Sequence, residues 1–131
     1  MKRTLLLLSS LLLSAGAFAA APEHAKIDAA ADKAGDKVEL RFKVVPESGL
    51  HVNMEGPWKL ELTGTDGLGL QKTTFAKGDM DEKLPGFVVK TAAKPAKAAG
   101  DVEYKLTAFV CTDDKTQCYR EVHTGKLPWK A

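Results

Sequence analysis

An all-β sandwich is the fold class this sequence predicts, on three observations. Apolar and polar residues alternate along much of the chain, most cleanly at Lys37–Val45 and Asp101–Cys111. Clusters of glycine, proline and aspartate punctuate the alternation at short intervals. No β-α-β alternation, glycine-rich phosphate loop or internal repeat breaks the pattern.

The elements follow in order. Glu23–Asp36 is rich in alanine and has helical propensity, but Ile27, Ala29 and Ala31 alternate, and a first strand is expected there. In Lys37–Val45, Val38, Leu40, Phe42 and Val44 share one face, and Glu39, Arg41 and Lys43 the other. Pro46–Gly49 breaks that strand, and Leu50–Asn53 resumes it. Lys59–Thr63 sets Leu60 and Leu62 on one face, and Gly64–Gly69 reads as a turn. Gln71–Ala76 is a short polar strand; Pro85-Gly86 precedes another at Phe87–Lys90. Thr91–Gly100 is low in complexity and carries Pro95, so a long exposed connection is expected. Asp101–Cys111 is the longest strand signal, and a last strand is expected over Tyr119–Leu127. About seven short strands in one chain of this length give the sandwich.

The N-terminus predicts export. Lys2 and Arg3 precede an apolar run, Leu5–Leu8 and Leu11–Leu13, which ends in Ala17-Phe18-Ala19. A charged start, a short apolar stretch and a small-residue exit describe a cleaved signal peptide at residues 1–19. The run is barely long enough to span a bilayer and no stop-transfer charges flank it. The expected mature chain, 20–131, is a single domain in the periplasm with no membrane span.

Lys2 and Arg3 also account for the whole excess of 19 basic over 17 acidic residues. A neutral, interspersed mature surface argues against nucleic-acid binding and against attraction to an anionic membrane.

Cys111 and Cys118 are the only cysteines, with six residues between them. In an oxidising compartment they are expected to pair. The polar stretch Thr112–Gln117 puts them at the mouth of a hairpin, where cross-strand distances suit a disulfide. Closing so short a loop would add roughly 2–3 kcal/mol on the chain-entropy model, so a purely structural bond fits. A bond bridging an exposed loop is also open to another protein's thiolate, so a redox pair fits too. The spacing is not the C-x-x-C of thioredoxin-like enzymes, and Asp113 and Asp114 disfavour a thiolate.

The stretch from Tyr104 to Cys111, its polar loop and the closing Cys118-Tyr119 resemble the end of the amino-terminal periplasmic domain of DsbD-type thiol:disulfide interchange proteins. Gly49–Asn53, Pro57–Leu62 and Gly67–Gly78 are similar to that family's earlier strands, so the resemblance covers most of the mature chain. Only the cysteine region is specific. The chain departs from the family in its C-x6-C spacing, one residue longer, and in Arg120 where proline is expected. The resemblance implies an immunoglobulin-like β-sandwich and a shuttle. Cys111 and Cys118 would be its redox pair, exchanging with periplasmic thiol–disulfide proteins and a separate membrane electron donor. Cys118 is slightly favoured as nucleophile. His51, Asn53 and Tyr119 are candidate supporting residues; His51 and Asn53 share a strand face and can assist proton transfer if they lie near the cysteine loop.

No cofactor or metal is expected. Cys111, Cys118 and His123 fit no familiar zinc spacing, and a disulfide would consume both thiolates. Asp79–Glu82 reads as a solvated acidic turn. No serine–histidine–acid set is visible. Two alternative functions stand beside the shuttle. One is an immunoglobulin-like binding module with a structural disulfide. The other is a periplasmic copper carrier using His51, Met54 and Met80.

Overall fold

A computed structural model describes residues 24–81 and 88–131. The signal-peptide segment, Pro85-Gly86 and the first residue of the Phe87–Lys90 strand lie outside the described residues.

Eight strands form among the described residues: β1 (Ala25–Ala34), β2 (Lys37–Pro46), β3 (Leu50–Val52), β4 (Lys59–Thr63), β5 (Thr74–Ala76), β6 (Val88–Ala93), β7 (Ala99–Thr112) and β8 (Cys118–Lys130). They make two antiparallel sheets packed as an all-β sandwich. The smaller sheet has the order β1-β2-β6. In the larger one, β8 takes one edge of β7 along nearly its whole length. β3 and β4 therefore share the other edge, β3 against Val110–Thr112 and β4 against Glu103–Thr107, and β5 pairs β4 outside them. β3 and β4 act as one strand interrupted by an excursion at residues 53–58.

Period-two alternation explains the core. Val38, Leu40, Phe42 and Val44 of β2 face Leu60, Leu62, Val102, Leu106, Ala108 and Val110 of the larger sheet in one apolar cluster. Trp58 and Trp129 are both buried in it. Trp129 lies over Gly100, where a Cβ would come within 2.8 Å of Trp129 Cζ2, so only glycine fits under the indole.

The alanine-rich segment is a strand, as its alternation predicts. Ten register pairs with β2 override its helical propensity, and Ala25 is buried. The long connection expected over Thr91–Gly100 is corrected. Thr91, Ala92 and Ala93 pair with Leu40, Glu39 and Val38, and Ala99 and Gly100 pair with Lys130 and Trp129. Only 94–98 remain as a link, because short side chains that carry no pattern of their own still complete ladders set by their partners. Two end strands also differ from expectation. β5 keeps only Thr74–Ala76 of the expected Gln71–Ala76, and β8 extends to Lys130. Pro128 sits within β8 because this is an edge strand, paired among the described residues with β7 alone.

Candidate functional site

Cys111 and Cys118 are directly opposed at the open end of the β7–β8 hairpin and form a disulfide, with Cα atoms 4.1 Å apart. Their exposure differs. Cys111 is 3% exposed, whereas Cys118 is exposed. β7 explains the asymmetry. Its even positions from Val102 to Val110 face the core, so Cys111 lies on the outer face, flanked there by β3.

The same register places His51. It is the cross-strand partner of Cys111 on the β3 side, as Cys118 is on the β8 side. Directly opposed antiparallel residues project to the same face. His51, Cys111 and Cys118 thus form one row across three strands, with the Cys111 side chain in the middle. His51 Nε2 lies against Asp113 Oδ1 of the hairpin loop. His51, Asn53, Met54, Glu55, Cys111 and Lys115 are among the residues lining a shallow concavity of about 320 Å³. Lys115 Nζ reaches Glu55 Oε1 at 3.7 Å across its mouth.

The hairpin loop is held by its own side chains. Asp114 Oδ1 accepts from Thr112 Oγ1 at 2.6 Å, from Thr116 Oγ1 at 2.8 Å and from the Thr116 backbone N–H at 3.1 Å. These hydrogen bonds, Thr112 foremost, lower the Asp114 carboxyl to about 2. Lys115 reverses the chain at φ 55, in the left-handed region. Asp114 is therefore the loop's organiser, and its neighbour Asp113 is the one that meets His51.

Asn53 begins the 53–58 excursion. Its backbone N–H donates to Phe109 O at 2.8 Å, its Oδ1 accepts from the Glu55 N–H at 3.0 Å, and its carbonyl accepts from Trp58 Nε1 at 2.6 Å. It shapes the wall beside Cys111. Gly56 rests on the Phe109 ring, where a Cβ would fall within 2.6 Å of Phe109 Cδ2. Tyr119 lies elsewhere. It follows Cys118 but points to the opposite face, stacks on His24 with ring centroids 3.6 Å apart, and donates to Gln117 Oε1 at 3.0 Å.

Two metal readings are not assembled. His123 sits on the inner face of β8 bonded to Glu121, whereas Cys118 is on the outer face. Met54 lines the concavity with His51, but Met80 packs against the core cluster. Among the described residues, no group of three or more histidine, cysteine or acidic side chains is arranged to hold a metal ion.

Sequence reasoning missed a second polar cluster. Glu121, 7% exposed, accepts from the His24 backbone N–H at 2.9 Å, from His24 Nδ1 at 2.6 Å and from His123 Nε2 at 3.0 Å. Its only sequence signal is a glutamate at an inward position of β8, with His123 two residues on.

No protein-family model matches the chain, and no curated protein matches its sequence.

The hairpin does not depend on the disulfide to form. Thirteen register pairs already join β7 and β8, and the loop carries its own hydrogen bonds. Replacing both cysteines by alanine is expected to lower stability by roughly 2–3 kcal/mol, as for closing a loop of about eight residues, and to leave the fold intact. Urea unfolding followed by far-UV circular dichroism checks this.

Proposed function

We propose that the chain is an exported thiol:disulfide exchange domain. It would be an immunoglobulin-like sandwich of the DsbD amino-terminal type, passing electrons through Cys111 and Cys118. The observation that carries the reading is the asymmetry of the pair, an exposed Cys118 bonded to a buried Cys111. Exchange needs access to one sulfur and a second thiol beside it to finish the reaction. The signal-like N-terminus and the Tyr104–Tyr119 motif support the same reading.

Each step conserves electrons. A partner thiolate attacks Cys118 Sγ, a mixed disulfide forms, and the pair of electrons in the broken bond leaves on Cys111 Sγ. A second partner thiolate attacks the partner sulfur of the mixed disulfide and frees Cys118, so two electrons have entered. In the other direction the Cys118 thiolate attacks a partner disulfide, and Cys111 attacks Cys118 to release the partner as a thiol. Periplasmic thiol–disulfide proteins are the partners of this reading, with a separate membrane protein as electron donor.

The test is the reduction potential of the purified mature protein, equilibrated with glutathione or dithiothreitol. A value above about −250 mV is expected. A value below about −300 mV would mark a structural bond, and the domain would then be a binding module.

A further inference from the structure

We infer that His51 carries the proton of the Cys111 thiol during exchange, with Asp113 as its positioning residue. The inference rests on the exchange reading above and extends it. Cys111 has two cross-strand neighbours on one face, the Cys118 side chain and the His51 side chain. Directly opposed side chains on one face have Cβ atoms roughly 4.5–5.5 Å apart, within reach of an imidazole and a thiol. Cys111 is buried while His51 is 70% exposed, so the imidazole is a route between that sulfur and solvent. Asp113 holds His51 from the hairpin loop through Nε2. Glu55 and Lys115 are the other charged groups lining the concavity.

The chemistry balances. When Cys118 is attacked, Cys111 leaves as a thiolate and His51 gives it a proton. In the return step His51 takes that proton. The Cys111 thiolate then attacks Cys118 Sγ, and the partner sulfur departs with the electron pair of the broken bond. An imidazole is the side chain suited to both transfers near neutral pH. It also offsets the disfavour of Asp113 and Asp114 for a thiolate, so the Cys–His pairing makes the buried sulfur usable.

The experiment follows oxidation of the fully reduced protein by glutathione disulfide across pH. Two steps are separated. In a Cys111→Ala background, glutathione adds to Cys118 and stays, so mass spectrometry reports the first step alone. In the parent, ring closure by Cys111 is read as loss of both thiols. His51→Gln is expected to slow closure at pH 7 by about tenfold or more, low in the range for an acid–base group because this site is open. It is also expected to remove one limb of the pH profile and leave the first step unchanged. Asp113→Asn should have a smaller effect in the same direction, and none in a His51→Gln background, because it acts through the imidazole. His51 is exposed, so the variant folds, and circular dichroism verifies this. Unchanged closure and an unchanged pH profile in His51→Gln would overturn the inference while exchange stands. Failure of glutathione to add to Cys118 would instead overturn the exchange reading.

Discussion

A Cys111→Ala chain is expected to stop at a stable mixed disulfide on Cys118, and a Cys118→Ala chain to react hardly at all. The reason is geometric. Both sulfurs belong to one cross-strand pair, but Cys118 is exposed and Cys111 is 3% exposed beneath the wall of β3 and the 53–58 excursion. A disulfide reagent approaches Cys118 without any rearrangement. To reach Cys111 it needs a local opening, and each 1.4 kcal/mol of opening costs tenfold in rate. Cys118→Ala should therefore react with glutathione disulfide at least about tenfold more slowly than Cys111→Ala. The parent should accumulate no adduct, because Cys111 lies 4.1 Å away, Cα to Cα, and closes the ring. Mass spectrometry of the quenched reactions reads all three outcomes. Equal reactivity of the two single variants would remove the observation on which the proposed function rests.

How much of this was legible in the chain depends on where each signal comes from. β2, β4 and the body of β7 were readable because one face of each is buried, which forces a period of two into the residues themselves. Ala92, Ala93 and Ala99 carry no such period. They are strand because Glu39, Val38 and Lys130 lie opposite them, and that information sits elsewhere in the sequence. The cysteine pair was visible because both members are rare and close together. The place of His51 beside Cys111 was not. It follows from the register of a three-residue strand against a strand that begins nearly fifty residues later. Asn53 and Tyr119, equally plausible from the sequence, take other roles. One shapes the 53–58 excursion, and the other points to the inner face. The Glu121 cluster joins residues 97 apart in sequence and has no local signature.

That cluster carries the second large expected effect. Glu121→Ala should lower stability by about 3 kcal/mol, a drop in Tm of roughly 10–20 °C. The substitution leaves the His24 backbone N–H, the solvent-facing His24 ring and the largely buried His123 ring without the carboxylate they share. A buried donor stranded in this way, as the His123 ring is, costs more than its hydrogen bond was worth. The substitution also releases the start of β1, which among the described residues is ladder-paired only to β2 and is tied to the other sheet through the preceding His24. The pH dependence has a definite sign. Burial raises the Glu121 carboxyl, but the His24 backbone N–H, the His24 ring and His123 together outweigh it, and the carboxyl rests below its ordinary 4.5. A carboxylate favoured by folding stabilises fully above that ordinary value, and its contribution is lost as pH falls through the lower folded value. Urea denaturation should therefore show the parent losing stability as pH falls below 4.5, with Glu121→Gln removing the Glu121 share of that loss while Asp114, also held low, keeps its own. A Glu121→Ala variant as stable as the parent at pH 7 would mean the two histidines find water instead, and that β1 is held by its ladder with β2 alone.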